Sequence, residues 1–158
     1  MTSNAHQSRW NIPSAVTSSS IFGYSSDGWK FGNASSYSTI TYNTNVPLDF
    51  AIEWIVTGRY GTNPCPIGVS IGGSYIYINF TSLSTVNTNV GGSSNGYTVS
   101  MNYPIKFRLE LYSTSMKLYV DDNLIATKTH SLSGNYVPSL QCGSNRWIVI
   151  KDYKIKPL

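Results

Sequence analysis

The feature that most constrains this chain is a strict two-residue alternation. From 48 to 56, Leu48, Phe50, Ile52, Trp54 and Val56 alternate with Asp49, Ala51, Glu53 and Ile55. From 105 to 111, Ile105, Phe107, Leu109 and Leu111 alternate with Lys106, Arg108 and Glu110. Met116, Leu118 and Val120 alternate with Lys117 and Tyr119, and Ile76, Ile78 and Phe80 with Tyr75, Tyr77 and Asn79. Successive side chains of a strand point to opposite faces, so each segment predicts a strand with one face inside and the other outside.

Composition agrees. Only 11% of the 158 residues are charged, against about 25% in an average globular protein. Aromatics reach 13%, with 12 Tyr and 4 Trp. Helix formers are scarce, while β-branched and aromatic residues abound, which favours strands and excludes a disordered chain. No apolar run approaches the roughly 20 residues of a membrane span. The net charge of +4 reflects few acids, and the 11 Lys and Arg are scattered apart from Lys151, Lys154 and Lys156. Without a dense basic stripe, no nucleic-acid partner is expected.

Short strand signals separated by turn residues run through the chain. Gly72-Gly73 reads as a hairpin turn, and Asp121-Asp122-Asn123 turns the chain between Met116–Val120 and Leu124–Thr129. No helical pattern of comparable length occurs. The expected fold is all-β, a two-sheet antiparallel sandwich. Residues 1–20 read as an irregular or edge segment and 21–158 as one sandwich domain. Trp54 and Trp147 read as core, and core is the favoured place for Trp10 and Trp29. Met1 is followed by a polar stretch, so no secretory signal is expected, and the chain reads as cytosolic or as a mature or excised part of something larger. Cys65 and Cys142 are open to one disulfide or two buried thiols.

Several segments resemble concanavalin A-like sandwiches, the lectin/glucanase superfamily that includes laminin-G-like and carbohydrate-binding modules. They are Leu48-Asp49-Phe50-Ala51-Ile52-Glu53-Trp54, Ile105 to Tyr112 followed by Met116 to Asn123, and the closing Trp147 to Ile155. The resemblance is one of pattern and implies a jelly-roll fold. The turn carries Asp122-Asn123 where such modules more often have Gly, and Asn is expected to supply the positive φ there. The resemblance also admits a structural calcium at Asp27 and Asp152, with ordinary turn chemistry as the alternative for Asp27-Gly28. No other cofactor is expected.

Glycoside cleavage needs two carboxylates facing one bond. The chain has seven acids, and they show none of the clustered Glu-x-Asp-x-x-Glu spacing of the superfamily's glucanases. Glu53 and Glu110 read as solvated partners of Arg108 and Lys106. His6 and His130 have no nucleophile-elbow context. The expectation is therefore that the chain is not an enzyme.

A sugar site needs flat aromatics and neutral hydrogen-bonding groups, and this composition supplies both. The candidates are Arg59, Tyr60 and Asn63 in a Gly-flanked loop, beside outward Tyr75 and Tyr77, with Arg108 and Tyr112 on the same outward set. Cross-strand tyrosines also simply stabilise sheets. The polar, Gly-rich stretch 87–97 reads as a second recognition loop. The leading function is a carbohydrate-binding, lectin-like module for adhesion or host attachment in a larger surface or virus tail protein. Its partner would be a glycan or cell-wall polysaccharide and its setting extracellular, cell-surface or virion. The alternative is a structural or assembly sandwich of a fibre, capsid or surface layer, packed as a homo-oligomer.

Overall fold

A computed structural model describes residues 9–12, 16–18, 28–33, 38–42, 46–60, 65–71, 74–80, 85–90, 93–98, 103–129, 135–136, 139–142 and 146–158. Every regular element among them is a strand. In chain order these are β1 (Val16–Ser18), β2 (Trp29–Asn33), β3 (Ser38–Tyr42), β4 (Val46–Pro47), β5 (Phe50–Tyr60), β6 (Cys65–Ile71), β7 (Ser74–Phe80) and β8 (Thr85–Val90). There follow β9 (Ser93–Thr98), β10 (Ile105–Leu111), β11 (Ser115–Val120), β12 (Asn123–Thr129), β13 (Asn135–Tyr136), β14 (Ser139–Cys142) and β15 (Arg146–Pro157).

All pairings are antiparallel, and they assemble two main sheets. One has seven strands in the order β1-β3-β14-β6-β7-β8-β9, the other six in the order β12-β11-β10-β5-β15-β2. Strands β4 and β13 form a separate pair. Two insertions set the topology: β14 lies between β3 and β6, and β15 lies between β5 and β2. The protein is an all-β, two-sheet antiparallel sandwich.

The alternation places the core on the inner face of the six-stranded sheet. Phe50, Ile52, Trp54 and Val56 are buried, as are Ile105, Phe107, Leu109 and Leu111. Met116, Leu118 and Val120 join them from β11, and Ile148, Ile150 and Tyr153 from β15. Trp54 and Phe107 are register partners whose rings stack at 5.5 Å. Large side chains of this kind contribute about 1.5–3 kcal/mol each on burial. Ile12 and Trp29 belong to the same cluster, and Trp10 packs against it, so the segment before residue 20 supplies core residues as well as edge strand β1. Trp147, expected in the core, is only half-buried, with Lys30 Nζ 5.8 Å from its ring centre.

The β11–β12 turn differs in one detail from expectation. The positive φ values fall on Asp121 (48°) and Asp122 (65°). Val120 pairs with Asn123, so the loop has two residues, and with both at positive φ it has the signature of the type I′ turn that suits strand twist. Asn123 opens β12 instead. The Asp121 carboxylate accepts the Lys106 backbone N–H at 2.9 Å, which ties the turn to β10.

Candidate functional site

The seven-stranded sheet carries a cross-strand row that joins residues far apart in the chain. Thr39 is level with Gln141, Gln141 with Gly68, and Gly68 with Tyr77. Tyr77 is level with Asn89, and Asn89 with Ser94. The adjacent row runs Ile40, Leu140, Val69, Ile76 and Val90. Adjacent rows belong to opposite faces of a sheet. The aliphatic row and the polar Tyr77 row therefore lie on opposite faces of this sheet. Two residues further along β7, Asn79 continues the Tyr77 face, level with Asn87 on β8.

The described strands of this sheet carry no side chain that is ordinarily charged at neutral pH. None of its seven strands contains Asp, Glu, Lys or Arg. A face of Tyr, Asn, Gln, Ser and Thr offers donors and acceptors without charge. Gly68 stands level with Tyr77 in the cross-strand row.

The six-stranded sheet is the opposite in character. On its outward side Glu53 and Glu110 come together from β5 and β10. Glu53 is level with Arg108, and Glu110 lies two residues on, making the two glutamates diagonal neighbours. Both are about nine-tenths buried. Lys156 Nζ stands 3.0 Å from Glu53 Oε1. Arg108 Nε is 3.2 Å from Glu110 Oε1, angled as an ion pair rather than a hydrogen bond. The Tyr112 hydroxyl donates to Glu110 Oε2 over 2.8 Å. That bond, burial and the Glu110 charge push the Tyr112 phenol above its ordinary value. Arg108 also stacks 4.1 Å from the Tyr119 ring centre. Lys106 donates to Asp122 Oδ1 at 3.0 Å and holds that carboxyl below its usual range.

The residues singled out from sequence therefore do not form one site. Tyr75 and Tyr77 lie on β7 in the seven-stranded sheet, whereas Arg108 and Tyr112 belong to β10 and its end in the six-stranded sheet. Arg59 and Tyr60 are not in a loop. They extend β5, level with Ile148 and Trp147, because β15 continues alongside and completes their backbone hydrogen bonds. Asn63 lies outside the described residues. Of the stretch 87–97, expected as a loop, residues 87–90 and 93–97 lie in the paired strands β8 and β9, and Gly91-Gly92 lies outside the described residues. Val86, Val90 and Tyr97 supply strand-forming residues on either side. Gln141 and Asn89 flank the Gly68–Tyr77 pair in this row; Asn89 falls within the 87–97 stretch expected to take part in recognition, whereas Gln141 was not among the expected site residues. The period-two Asn87-Thr88-Asn89 was the available signal for Asn89. Gln141 had none, because its position depends on β14 inserting beside β6.

Asp27 lies outside the described residues. Asp152 sits at a bulge of β15 with φ of 54°, and its Oδ1 accepts a 2.6 Å hydrogen bond from Asn11 Nδ2. The Asp152 N–H donates to Trp10 O at 2.8 Å. These bonds fasten the N-terminal segment to the last strand. Among the described residues, no three of His, Cys, Asp and Glu gather as metal ligands.

No family model matches the chain, and no curated protein matches it in sequence. Solved structures do match in fold. The Crh5 transglycosylase aligns with a TM-score of 0.69 at 11% identity, over 91% of this chain and 85% of the enzyme. The carbohydrate-binding module CBM66 from Bacillus subtilis aligns with a TM-score of 0.66 at 14% identity, over 90% of this chain and 95% of the module. The chain is a concanavalin A-like jelly-roll sandwich. An endo-β-1,3-glucanase from Pyrococcus furiosus shares this concanavalin A-like architecture with a TM-score of 0.56 at 13% identity, over 77% of this chain and 67% of the enzyme.

These likenesses overturn the expectation that the chain is not an enzyme, since most of the matched proteins of this fold are transglycosylases and glucanases. The expectation rested on the spacing of the acids along the chain and on reading Glu53 and Glu110 as solvated. A sandwich brings carboxylates together from separate strands, as it does with Glu53 and Glu110.

Proposed function

We propose that the protein binds carbohydrate on the face of its seven-stranded sheet that carries the Tyr77 row, and that the ligand is an uncharged polysaccharide lying across the strands. The observation that carries this reading is the Thr39–Gln141–Gly68–Tyr77–Asn89–Ser94 row on a sheet whose strands contain no Asp, Glu, Lys or Arg. Strands are spaced by about 4.8 Å, close to the length of one pyranose unit, so each sugar of an extended chain would meet a new strand. From β3 to β9 the row spans about 24 Å, room for several units. A tyrosine offers a flat apolar face to a sugar ring, and amides on either side satisfy its hydroxyls. The fold likeness to CBM66 and to a transglycosylase solved with NAG supports a saccharide ligand. Such a face suits attachment to polysaccharide displayed outside a cell, within a larger surface or virus tail protein.

The test is calorimetric titration with soluble β-1,3-glucan, mixed-linkage β-1,3-1,4-glucan and N-acetylglucosamine oligomers, the classes suggested by the matched structures. Binding to at least one is expected, weakened on the order of tenfold by Tyr77→Ala and by Gln141→Ala, the loss of one stacking or hydrogen-bonding partner. New reducing ends in the same incubation would measure cleavage. Failure to bind any neutral glycan, or full affinity in both variants, would reject the proposal.

A further inference from the structure

The outward face of the six-stranded sheet holds a surplus of fixed positive charge. Its cross-strand rows read Lys106–Ile55–Lys151, then Arg108–Glu53–Lys154, then Lys117–Glu110–Ala51–Lys156. These rows carry Lys106, Arg108, Lys117, Lys151, Lys154 and Lys156 against Glu53, Glu110 and the adjoining Asp122. Lys106, Arg108 and Lys156 are taken up by those acids. Lys117 lies 5.4 Å from the Tyr112 ring centre, and Lys151 and Lys154 make no ion pair among the described residues. Lys154 and Lys156 are two residues apart on one strand, about 6.7 Å, and Lys117 is three strands away, about 14 Å. The two glutamates are buried beneath this array and hold it in place without neutralising it.

We infer that this face docks an acidic polysaccharide, a polymer with carboxylates spaced along it. The inference does not depend on the neutral-glycan face. Charge complementarity calls for an anion, and the chemistry of the face selects among anions. The arginine within these rows is already committed to Glu110 and Tyr119, which leaves ammonium groups acting as point charges rather than forks for phosphate. The Tyr112 and Tyr119 rings are covered by Lys117 and Arg108, which removes stacking platforms for nucleic-acid bases. Exposed Leu124 on β12 and Leu158 beyond β15 are separated by the intervening strands, so these two leucines form no shared apolar patch of the kind that enters a membrane surface. A lysine-studded sheet face instead suits an extended polymer held by several weak charge contacts.

The experiment titrates the whole chain with polygalacturonate, duplex DNA and phosphatidylserine vesicles in parallel. Polygalacturonate should bind at low salt and weaken on the order of tenfold at physiological ionic strength, because exposed charges are screened there. The double variant Lys151→Gln/Lys154→Gln should lose about tenfold at low salt, whereas the charge-matched Arg9→Gln/Lys128→Gln should bind as the parent does. Thermal unfolding of both variants checks that the fold is kept. Absence of polygalacturonate binding, tighter binding of DNA or vesicles, or equal loss in both double variants would overturn the inference. Loss with Tyr77→Ala in place of the lysine variant would also overturn it, by moving the acidic polymer to the other sheet, and would leave the glycan reading standing.

Discussion

Tyr112 donates its hydroxyl to Glu110 Oε2 over 2.8 Å, and Arg108 Nε stands 3.2 Å from the other oxygen of the same carboxylate. Glu110 faces outward from β10 yet is about nine-tenths buried, so both of its oxygens have partners where water is scarce. A buried carboxylate without such partners would be costly.

Replacing Tyr112 with Phe therefore removes a hydrogen bond to a charged acceptor. Stability at neutral pH should fall by about 1 kcal/mol in urea unfolding. The Tyr112 phenol titrates above its ordinary value, chiefly because it donates to Glu110. A raised folded value means that the contribution is complete below the unfolded value, about 10, and is lost as pH rises through the folded one. The gap between Tyr112→Phe and the parent should narrow in strongly alkaline buffer, and an unchanged gap would contradict the assignment.

Asp122 works in the acid direction. The Lys106 hydrogen bond and charge hold its carboxyl below the usual range. A lowered folded value means that the contribution is present above the unfolded value, about 3.9, and is lost as pH falls through the folded one. Asp122→Asn keeps a residue that tolerates the positive φ and removes the titration. Its melting temperature should fall less between pH 6 and pH 3 than that of the parent, by a small margin because the pair is exposed.

Phe107 stacks on Trp54 and has no exposed surface. Phe107→Ala should cost about 3–5 kcal/mol, combining lost transfer energy with the cavity left behind. Denaturant unfolding with an unchanged slope would report it. A loss under 1 kcal/mol would mean that the core collapses around the gap.

Gly28 is packed against β15. A Cβ there would fall 2.7 Å from Ile150 O and 2.8 Å from Val149 Cγ1. Backbone cannot yield as a flexible side chain does, so Gly28→Ala should destabilise by about 1–3 kcal/mol. A neutral result in thermal unfolding would show that β2 can shift away from β15.

The inward residues of 48–56, 105–111 and 116–120 could be read from the chain because a strand's alternation is local. The same reading called Glu53 and Glu110 solvated, and it assigned Glu53 to Arg108 or Lys106. Their burial comes from Lys156, Arg108 and Tyr112 lying over or beside them, and the partner of Glu53 is Lys156, a hundred residues away. The Glu110–Arg108 pair was within reach of the reading because it lies within one strand.

Period-two patterning and composition were enough to determine strands, their inner faces and a sandwich of sheets. Alternation says that Tyr77 and Arg108 both face outward, but it cannot say from which sheet. Only strand pairing decided that: β10 pairs with β5 while β7 pairs with β6 and β8, which places the two residues on different sheets, and β14 inserting beside β6 brings Gln141 into the Tyr77 row. Facing is a property of neighbouring residues along one strand, whereas sheet membership depends on hydrogen bonds between strands far apart in the chain.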